Sequence, residues 1–311
     1  MVCSSVCNVS RLRLLLVLLL APGVAACGSE AGAGRGEGLR VVATTAQAAD
    51  FARAVGGERV TVTGLLAPNA DPHDFEVRPD DVRALADAQL VVRSGGELDE
   101  WLGEAIESSG TDAEAVTLAD HVELVEDDPH WWQDPRNAIR AVDGLRRALA
   151  AEDPAGAAGY ERAAAAYTER LRRLDGAVES CIAKVPAVDR TLVTTHDALG
   201  YYARRYGIRV VGAVIPSRST VAQPSAGETA RLVETIEREG VAAIFAESSV
   251  KPDVEAAIAR ESGARIGRAL WADTLGPEDS DGATYIDSIA SNTAALVDGF
   301  SGGEVECRPA A

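Results

Sequence analysis

The chain has 311 residues, of which 47% are hydrophobic and 25% charged. This length allows one or two globular domains with a substantial core, and the composition excludes a collagenous, disordered or multi-spanning chain. The formal net charge of −18 argues against nucleic acid as a partner, because a phosphate backbone would be repelled.

Residues 1–26 have the features of a signal peptide. Arg11 and Arg13 supply positive charge beside an apolar core, Leu12 and residues 14–20, which is too short to span a bilayer. The small residues before Cys27 resemble a bacterial lipobox, so we expect Cys27 to be lipidated and residues 27–38 to form a flexible tether. The expected location is the extracytoplasmic face of the bacterial cell membrane, with a lipid anchor. An ordinary secretory signal with a chance cysteine is the alternative.

From Leu39 onward, short β-like runs alternate with helical stretches, which is typical of a mostly parallel sheet covered on both faces. This alternation of strands and helices occurs twice. It predicts an N-terminal α/β lobe at residues 39–153 and a C-terminal α/β lobe at residues 185–311. Each lobe is expected to contain about four strands. The predicted strands are residues 39–45, 59–65, 89–93, 115–118, 190–194, 208–214, 241–245 and 264–267, and the predicted helices are residues 46–55, 79–88, 98–107, 135–151, 199–206, 225–240, 252–263 and 281–300.

Residues 154–184 differ from both lobes, since apolar side chains recur there at helical spacing for about 30 residues. We predict one rigid linking helix of about 45 Å. The predicted fold class is therefore α/β, with two similar lobes of roughly four mostly parallel strands joined by one long helix. Cys181, near the end of this helix, and Cys307 remain after the signal peptide and Cys27 are set aside, so they are a possible disulfide in an oxidising compartment. Two unpaired thiols are the alternative.

Three histidines stand in similar surroundings. His73 and His130 each follow an Asp-Pro pair, and His196 directly follows a predicted strand. Because ligands of open α/β sheets bind outside the carboxyl ends of strands, we expect the three to face one crevice, with Asp273 as the fourth ligand. The spacings are not those of a short local metal motif. A hydrogen-bonded loop residue is the alternative for any single histidine, and for His121 a surface loop residue is the preferred interpretation.

Five segments, in this order, resemble the metal-binding solute-binding proteins of bacterial zinc and manganese ABC importers. They are DPHDFE (71–76), DPHWWQDP (128–135), THDALGYYARRYGI (195–208), QPS (223–225) and WADTLGP (271–277). The resemblance implies one metal ion held between two lobes by His73, His130, His196 and Asp273. It also implies a membrane permease as partner, to which the chain, expected to be a monomer, delivers the metal.

Two departures from the family pattern concern the loops. Gln223 stands where the family has Glu, a change that we expect to be structural. The region 120–129 is short and acidic and lacks the histidine-rich loop of many zinc-specific members, so we expect no auxiliary metal-collecting segment.

Zinc is the preferred metal, with manganese as the alternative. Imidazole suits zinc, whereas carboxylate-rich sites suit manganese, and manganese-selective members usually have Glu where this chain has His196. A ligating imidazole usually donates its second N–H to a carboxylate or carbonyl. The candidates for that role are Asp71, Glu76, Asp134, Asp197 and Glu247.

Two functions of other classes remain open at this point. A zinc-dependent hydrolase would keep three protein ligands and an open position for water, whereas four ligands would close the site, so we predict that the chain is not an enzyme. A surface adhesin lipoprotein would need no tight metal site.

Overall fold

The structure, a computed structural model, describes residues 38–96, 98–126 and 128–310. The predicted signal peptide, Cys27 and all of the predicted tether except Gly38 lie outside the described residues. Among the helices of the described part, none combines the length and apolar character that a membrane span requires.

The first lobe contains a four-stranded, fully parallel sheet. Its strands are β1 (Leu39–Ala43), β2 (Val60–Gly64), β3 (Leu90–Arg93) and β4 (Glu114–Thr117), in the order β2-β1-β3-β4. Its helices are α1 (Ala46–Gly56), α2 (Pro79–Asp87), α3 (Leu102–Ser109) and α4 (Pro135–Glu152). The two central strands, β1 (LRVVA) and β3 (LVVR), are mostly buried and rich in valine, as expected of a parallel sheet covered by helices.

The linking helix α5 (Ala157–Ile182) follows a short 3₁₀ turn at Pro154–Gly156. The turn is stabilised by Asp153, whose side chain accepts a hydrogen bond from Gly156 N. Buried residues of α5 recur every three or four positions, from Tyr160 to Ile182, and form the face that packs on both lobes. The predicted helix therefore exists but begins about three residues later than its Pro154 start.

The second lobe repeats the strand order of the first. It contains β5 (Thr191–His196), β6 (Arg209–Ile215), β7 (Ala243–Ile244) and β8 (Arg265–Ile266), with helices α6 (Gly200–Tyr206), α7 (Ala226–Glu239), α8 (Asp253–Ser262) and α9 (Tyr285–Phe300). β5 pairs with β6 and β7 pairs with β8, all parallel, and a parallel bridge between Thr194 and Phe245 joins the two pairs. The spatial order is thus β6-β5-β7-β8. The predicted α/β fold class is confirmed, while the lobe limits at 153/154 and 184/185 stay predictions.

Local sequence signals explain several helix ends. Thr45 caps α1 by accepting from Ala48 N, and Asp134 caps α4 by accepting from Arg136 N, with Pro135 at the first helical position. Ser225 and Glu228 form a capping box at the start of α7. These caps fix where the chain leaves each loop, and Asp134 thereby positions the segment that carries His130.

An aromatic cluster joins the two lobes through α5. The Phe51 ring of α1 lies 5.0 Å from the Tyr285 ring of α9, 6.2 Å from the Tyr167 ring of α5 and 6.4 Å from the Trp131 ring, measured between centroids. All four side chains are buried in one continuous core. Fully burying one such ring contributes about 1.5–3 kcal/mol, so the cluster resists separation of the lobes.

Asp175 attaches the C-terminal half of α5 to both lobes. Its carboxylate accepts hydrogen bonds from Arg136 of α4 at 3.1 Å and from Arg205 and Tyr206 of α6, both at 2.9 Å. Burial alone would raise the pKa of Asp175, but the hydrogen bonds from Arg205, Tyr206 and Arg136 outweigh it and lower the pKa. One carboxylate therefore links three helices.

We expect Asp175→Asn to lower the free energy of unfolding at pH 7 by about 2 kcal/mol, because a neutral amide cannot accept all three donors. The folded pKa is lowered, so this contribution is complete above the unfolded value of about 3.9 and disappears as the pH falls through the lower folded value. Urea unfolding at several pH values measures it. The control is Asp143→Asn, which removes exposed pairs with Arg146 and Arg147 and should cost less than about 1 kcal/mol.

Candidate metal centre

Four side chains from distant parts of the chain meet at one buried point. His73 lies in a 3₁₀ turn at Pro72–Asp74, His130 directly precedes the turn at Trp131–Gln133, and His196 is the last residue of β5. Asp273 follows Leu270, whose backbone bridges to Glu247. One nitrogen or oxygen atom of each of the four lies within 4.8 Å of the others.

The distances within this cluster are short and centre on Asp273. Its Oδ2 lies 3.0 Å from His196 Nε2 and 3.2 Å from His73 Nε2, and its Oδ1 lies 3.5 Å from His130 Nε2. The Nε2 atoms of His130 and His196 are 3.3 Å apart. All three imidazoles therefore direct the same ring nitrogen to the same place.

The cluster is nearly closed to solvent, and some of its buried polar atoms have no hydrogen-bond partner. His130, His196 and Asp273 are at most 1% exposed, and only the His73 side chain, at 9%, reaches the surface. Both Asp273 carboxylate oxygens and His73 Nε2 are buried without a hydrogen-bond donor or acceptor of suitable geometry. Because unsatisfied buried polar groups are costly, these atoms suit a bound cation.

The buried imidazoles and carboxylates of the cluster shift one another's pKa values. Burial lowers the pKa of His196, but the carboxylates of Asp273 and Glu247 more than offset this effect and raise it to about 11. Burial would raise the pKa of Asp273, yet the imidazoles of His196 and His130 hold it well below its usual range. Asp273 is thus the anion of the cluster.

Two carboxylates orient two of the rings. Asp128 Oδ1 lies 2.7 Å from His130 Nδ1 and also accepts from His130 N at 3.0 Å. Glu247 Oε1 lies 2.7 Å from His196 Nδ1 and accepts from His196 N at 3.1 Å. A ring that gives up its Nε2 proton to bind a metal would keep its Nδ1–H on the carboxylate, and the Nε2 lone pair would then face the metal.

Of the five carboxylates predicted to orient the imidazoles, only Glu247 contacts a ligand ring. Asp134 caps α4, Asp71 caps the turn of His73 and Glu76 is exposed. Asp128 was missing from the candidates, although the Asp-Pro-His spacing that it shares with Asp71 could have indicated it. His121 lies outside the cluster, and Gln223 is exposed in the loop before α7.

The first lobe also holds the backbone beside Asp273. The Ala272 carbonyl accepts hydrogen bonds from Trp132 Nε1 at 3.0 Å and from Gln133 Nε2 at 2.7 Å. Tyr285 OH in turn donates to the Trp132 carbonyl at 2.6 Å. The loop that carries Asp273 is thereby fixed to the segment that carries His130.

We expect Glu247→Gln to weaken zinc binding by about tenfold or more, since loss of a carboxylate behind a ligating imidazole typically costs 10–100-fold. Glutamine keeps the shape and an acceptor oxygen but not the charge that strengthens the ring as a ligand. Isothermal titration with zinc measures the change. Glu261→Gln, an exposed residue of α8, is the control, and equal affinities of the two variants would contradict the assigned role of Glu247.

Two α/β lobes that bring imidazoles and a carboxylate together at a buried point define a two-lobed solute-binding protein with a donor set suited to a cation. The family model described as ZnuA, zinc-uptake complex component A periplasmic, matches residues 41–299, which is most of the chain. The chain belongs to this family.

Individual relatives support the same assignment. The manganese-binding lipoprotein MntA of Halalkalibacterium halodurans is 30% identical, over 92% of this chain and 97% of its own length. The iron-binding protein YfeA of Yersinia pestis is 28% identical, over 84% of this chain and 86% of its own length. The structure of the periplasmic zinc binding protein TroA from Treponema pallidum is 28% identical, covers 85% of this chain and 99% of that one, and superposes with a TM-score of 0.80.

Proposed function

We propose that this chain captures a divalent transition metal outside the cytoplasm and delivers it to the permease of an ABC importer, and that zinc is its cargo. The observation that carries the proposal is the convergence of His73, His130, His196 and Asp273 on one buried point. Metal is the substrate here, and the donor atoms of the chain replace its hydration shell.

The distances within the cluster suit a small tetrahedral ion. Zinc ligands lie about 2.0–2.2 Å from the metal, so two tetrahedral ligands are about 3.4 Å apart. Four distances among the donor atoms are 3.0, 3.2, 3.3 and 3.5 Å. These four distances are close to that spacing, and one donor atom from each of the four residues lies within 4.8 Å of the others.

The donor types favour zinc over manganese. Three imidazoles and one carboxylate are a common zinc set, whereas manganese prefers oxygen ligands and a larger coordination number. The relatives carry manganese, iron and zinc in their names, so family membership alone does not decide the metal. The proposal for zinc rests on the chemistry of His196 in particular, because this imidazole occupies the place where manganese-selective members usually have Glu.

The test is a titration of the chain with zinc and, separately, with manganese. We expect one zinc per chain, bound more tightly than manganese. His73→Ala and His196→Ala should each weaken zinc binding strongly, whereas His121→Ala, a histidine outside the cluster, should leave it unchanged. A stoichiometry far from one, or equal affinity in all three variants, would refute the proposal, and tighter binding of manganese would refute only the choice of zinc.

The same cluster argues against a zinc hydrolase. A catalytic zinc keeps one position for water, while four protein donors fill a tetrahedral site. The contacts of Asp273 with all three imidazoles support a role as the fourth ligand. Zinc-dependent hydrolysis of ester or peptide substrates by the wild-type chain, lost in His130→Ala, would revive the enzymatic alternative.

The proposed location depends on the N-terminal segment. Arg11, Arg13, the apolar run and the small residues before Cys27 support export and lipidation at Cys27. Expression in a bacterial host should place the chain in the membrane fraction, and Cys27→Ser should release it. Gel filtration of the soluble variant tests the proposed monomer.

A further inference from the structure

The three imidazoles of the metal centre are not equivalently supported. His130 and His196 each have a carboxylate on Nδ1, at 2.7 Å in both cases. His73 is held through its backbone, where Asp71 Oδ1 accepts from His73 N at 2.9 Å. His73 is also the ligand with an exposed edge. It is therefore the ligand best placed to move when metal enters or leaves.

His73 borders the space through which exchange can occur. A cavity of about 400 Å³ reaches it, lined by His73, Glu100 and Trp101 of the first lobe and by Ser217, Arg218 and Ser219 of the second. The other three ligands do not line this cavity. An ion that leaves toward the cavity must pass His73, so the position of this ring controls the path.

The loop that carries His73 is bonded to the opposite lobe by Asn69 N, which donates to the Leu275 carbonyl at 2.9 Å, and, within the turn itself, by the carboxylate of Asp71. While Asp71 Oδ1 fixes the His73 backbone, Asp71 Oδ2 accepts a hydrogen bond of 2.6 Å from Thr220 Oγ1, in the loop after β6. Both residues are partly buried. The bond is charge-assisted and short, and such bonds are stronger than neutral ones.

We propose that Asp71 and Thr220 form a latch between the lobes that sets how long the metal stays bound, by holding the His73 turn over the ion. The proposal rests on the proposed function as a metal-binding protein. Asp71 and Thr220 are positioning residues, since neither belongs to the ligand cluster. When the latch opens, the His73 turn loses its tie to Thr220, and the ring can leave the ion.

The direct test is the dissociation rate of zinc. The zinc-loaded chain is mixed with excess EDTA, and metal loss is followed by stopped flow for the wild type, Thr220→Val and Thr220→Ser. Valine keeps the shape but removes the hydroxyl, whereas serine retains it. We expect the dissociation rate to rise about tenfold in Thr220→Val and to stay within about twofold of wild type in Thr220→Ser. A Thr220→Val rate within about twofold of wild type would overturn the proposal.

Measuring Thr220→Val in the Asp71→Ala variant as well distinguishes a latch from a general structural role of Thr220. Asp71→Ala removes the acceptor, so Thr220→Val added to Asp71→Ala should change the dissociation rate no further. Full additivity of the two changes would contradict the latch. A wild-type chain that binds no zinc would instead refute the proposed function itself, and with it this inference. A wild type that binds zinc, with unaltered rates in the variants, would refute the latch alone.

Discussion

Asp273→Asn is expected to weaken zinc binding by about 100-fold or more, the largest loss among the single changes considered for the metal centre. Loss of a carboxylate that merely orients a ligating imidazole already costs 10–100-fold, and Asp273 contacts all three imidazoles itself. Asparagine keeps the size of the side chain but not the anion that offsets the charge of the metal. Competition with a chelator of known affinity gives the dissociation constant.

A thermal unfolding assay provides an independent measure of the same change. Zinc at 100 times its dissociation constant should stabilise the wild-type chain by about 2.7 kcal/mol, and the same concentration should hardly stabilise Asp273→Asn. The control is Asp279→Asn, an exposed residue of the same loop, which should respond to zinc like the wild type. Retention of wild-type stabilisation by Asp273→Asn would mean that the metal binds without this carboxylate.

The second large effect is expected from the link between α5 and the C-terminal segment. A disulfide joins Cys181 and Cys307, whose Cα atoms are 5.5 Å apart and which are separated by 126 residues in the chain. Closing so long a loop restricts the unfolded chain, and removing such a bond typically costs 2–5 kcal/mol. We expect Cys181→Ser/Cys307→Ser to lower the free energy of unfolding by about 4 kcal/mol.

The comparison is made by urea unfolding of the oxidised wild type and the double variant. Reduced wild type should unfold at the same urea concentration as the double variant, because both lack the cross-link. The zinc affinity should change little, since neither cysteine belongs to the ligand cluster. Equal stability of oxidised and reduced wild type would show that the bond does not restrain the unfolded chain.

The sequence allowed the architecture to be predicted better than the element limits. Buried β-branched runs and helical spacing indicated the strands and helices of both lobes, because the two periodicities differ. Besides α5, two helices of the lobes begin four residues later than predicted. α3 begins at Leu102 rather than Leu98 because Asp99 is bound into the preceding loop and accepts from Ser94 N at 2.7 Å. α9 begins at Tyr285 because Thr284 is its cap, while Asp281 binds Trp271 and Ser291.

The convergence of His73, His130, His196 and Asp273 was predictable for a different reason. Each belongs to a short segment in which a histidine or aspartate stands beside proline, tryptophan or another acid. A loop without a function would not be expected to repeat this combination. The hydrogen bonds between lobes were not predictable, because sequence contains no distances. The pair Asp71 and Thr220 is separated by 149 residues, and Thr220 has no local signal that distinguishes it from any exposed threonine.

The Ala272 carbonyl, which accepts from both Trp132 and Gln133, has a consequence for the entropy of metal capture. Trp132 and Gln133 follow His130, and Ala272 precedes Asp273, so these hydrogen bonds keep two of the four cluster residues close together without a metal ion. Glu247 already orients His196 in the same way, so an arriving ion would have to order only His73. Preorganisation of this kind reduces the conformational cost of binding a metal ion.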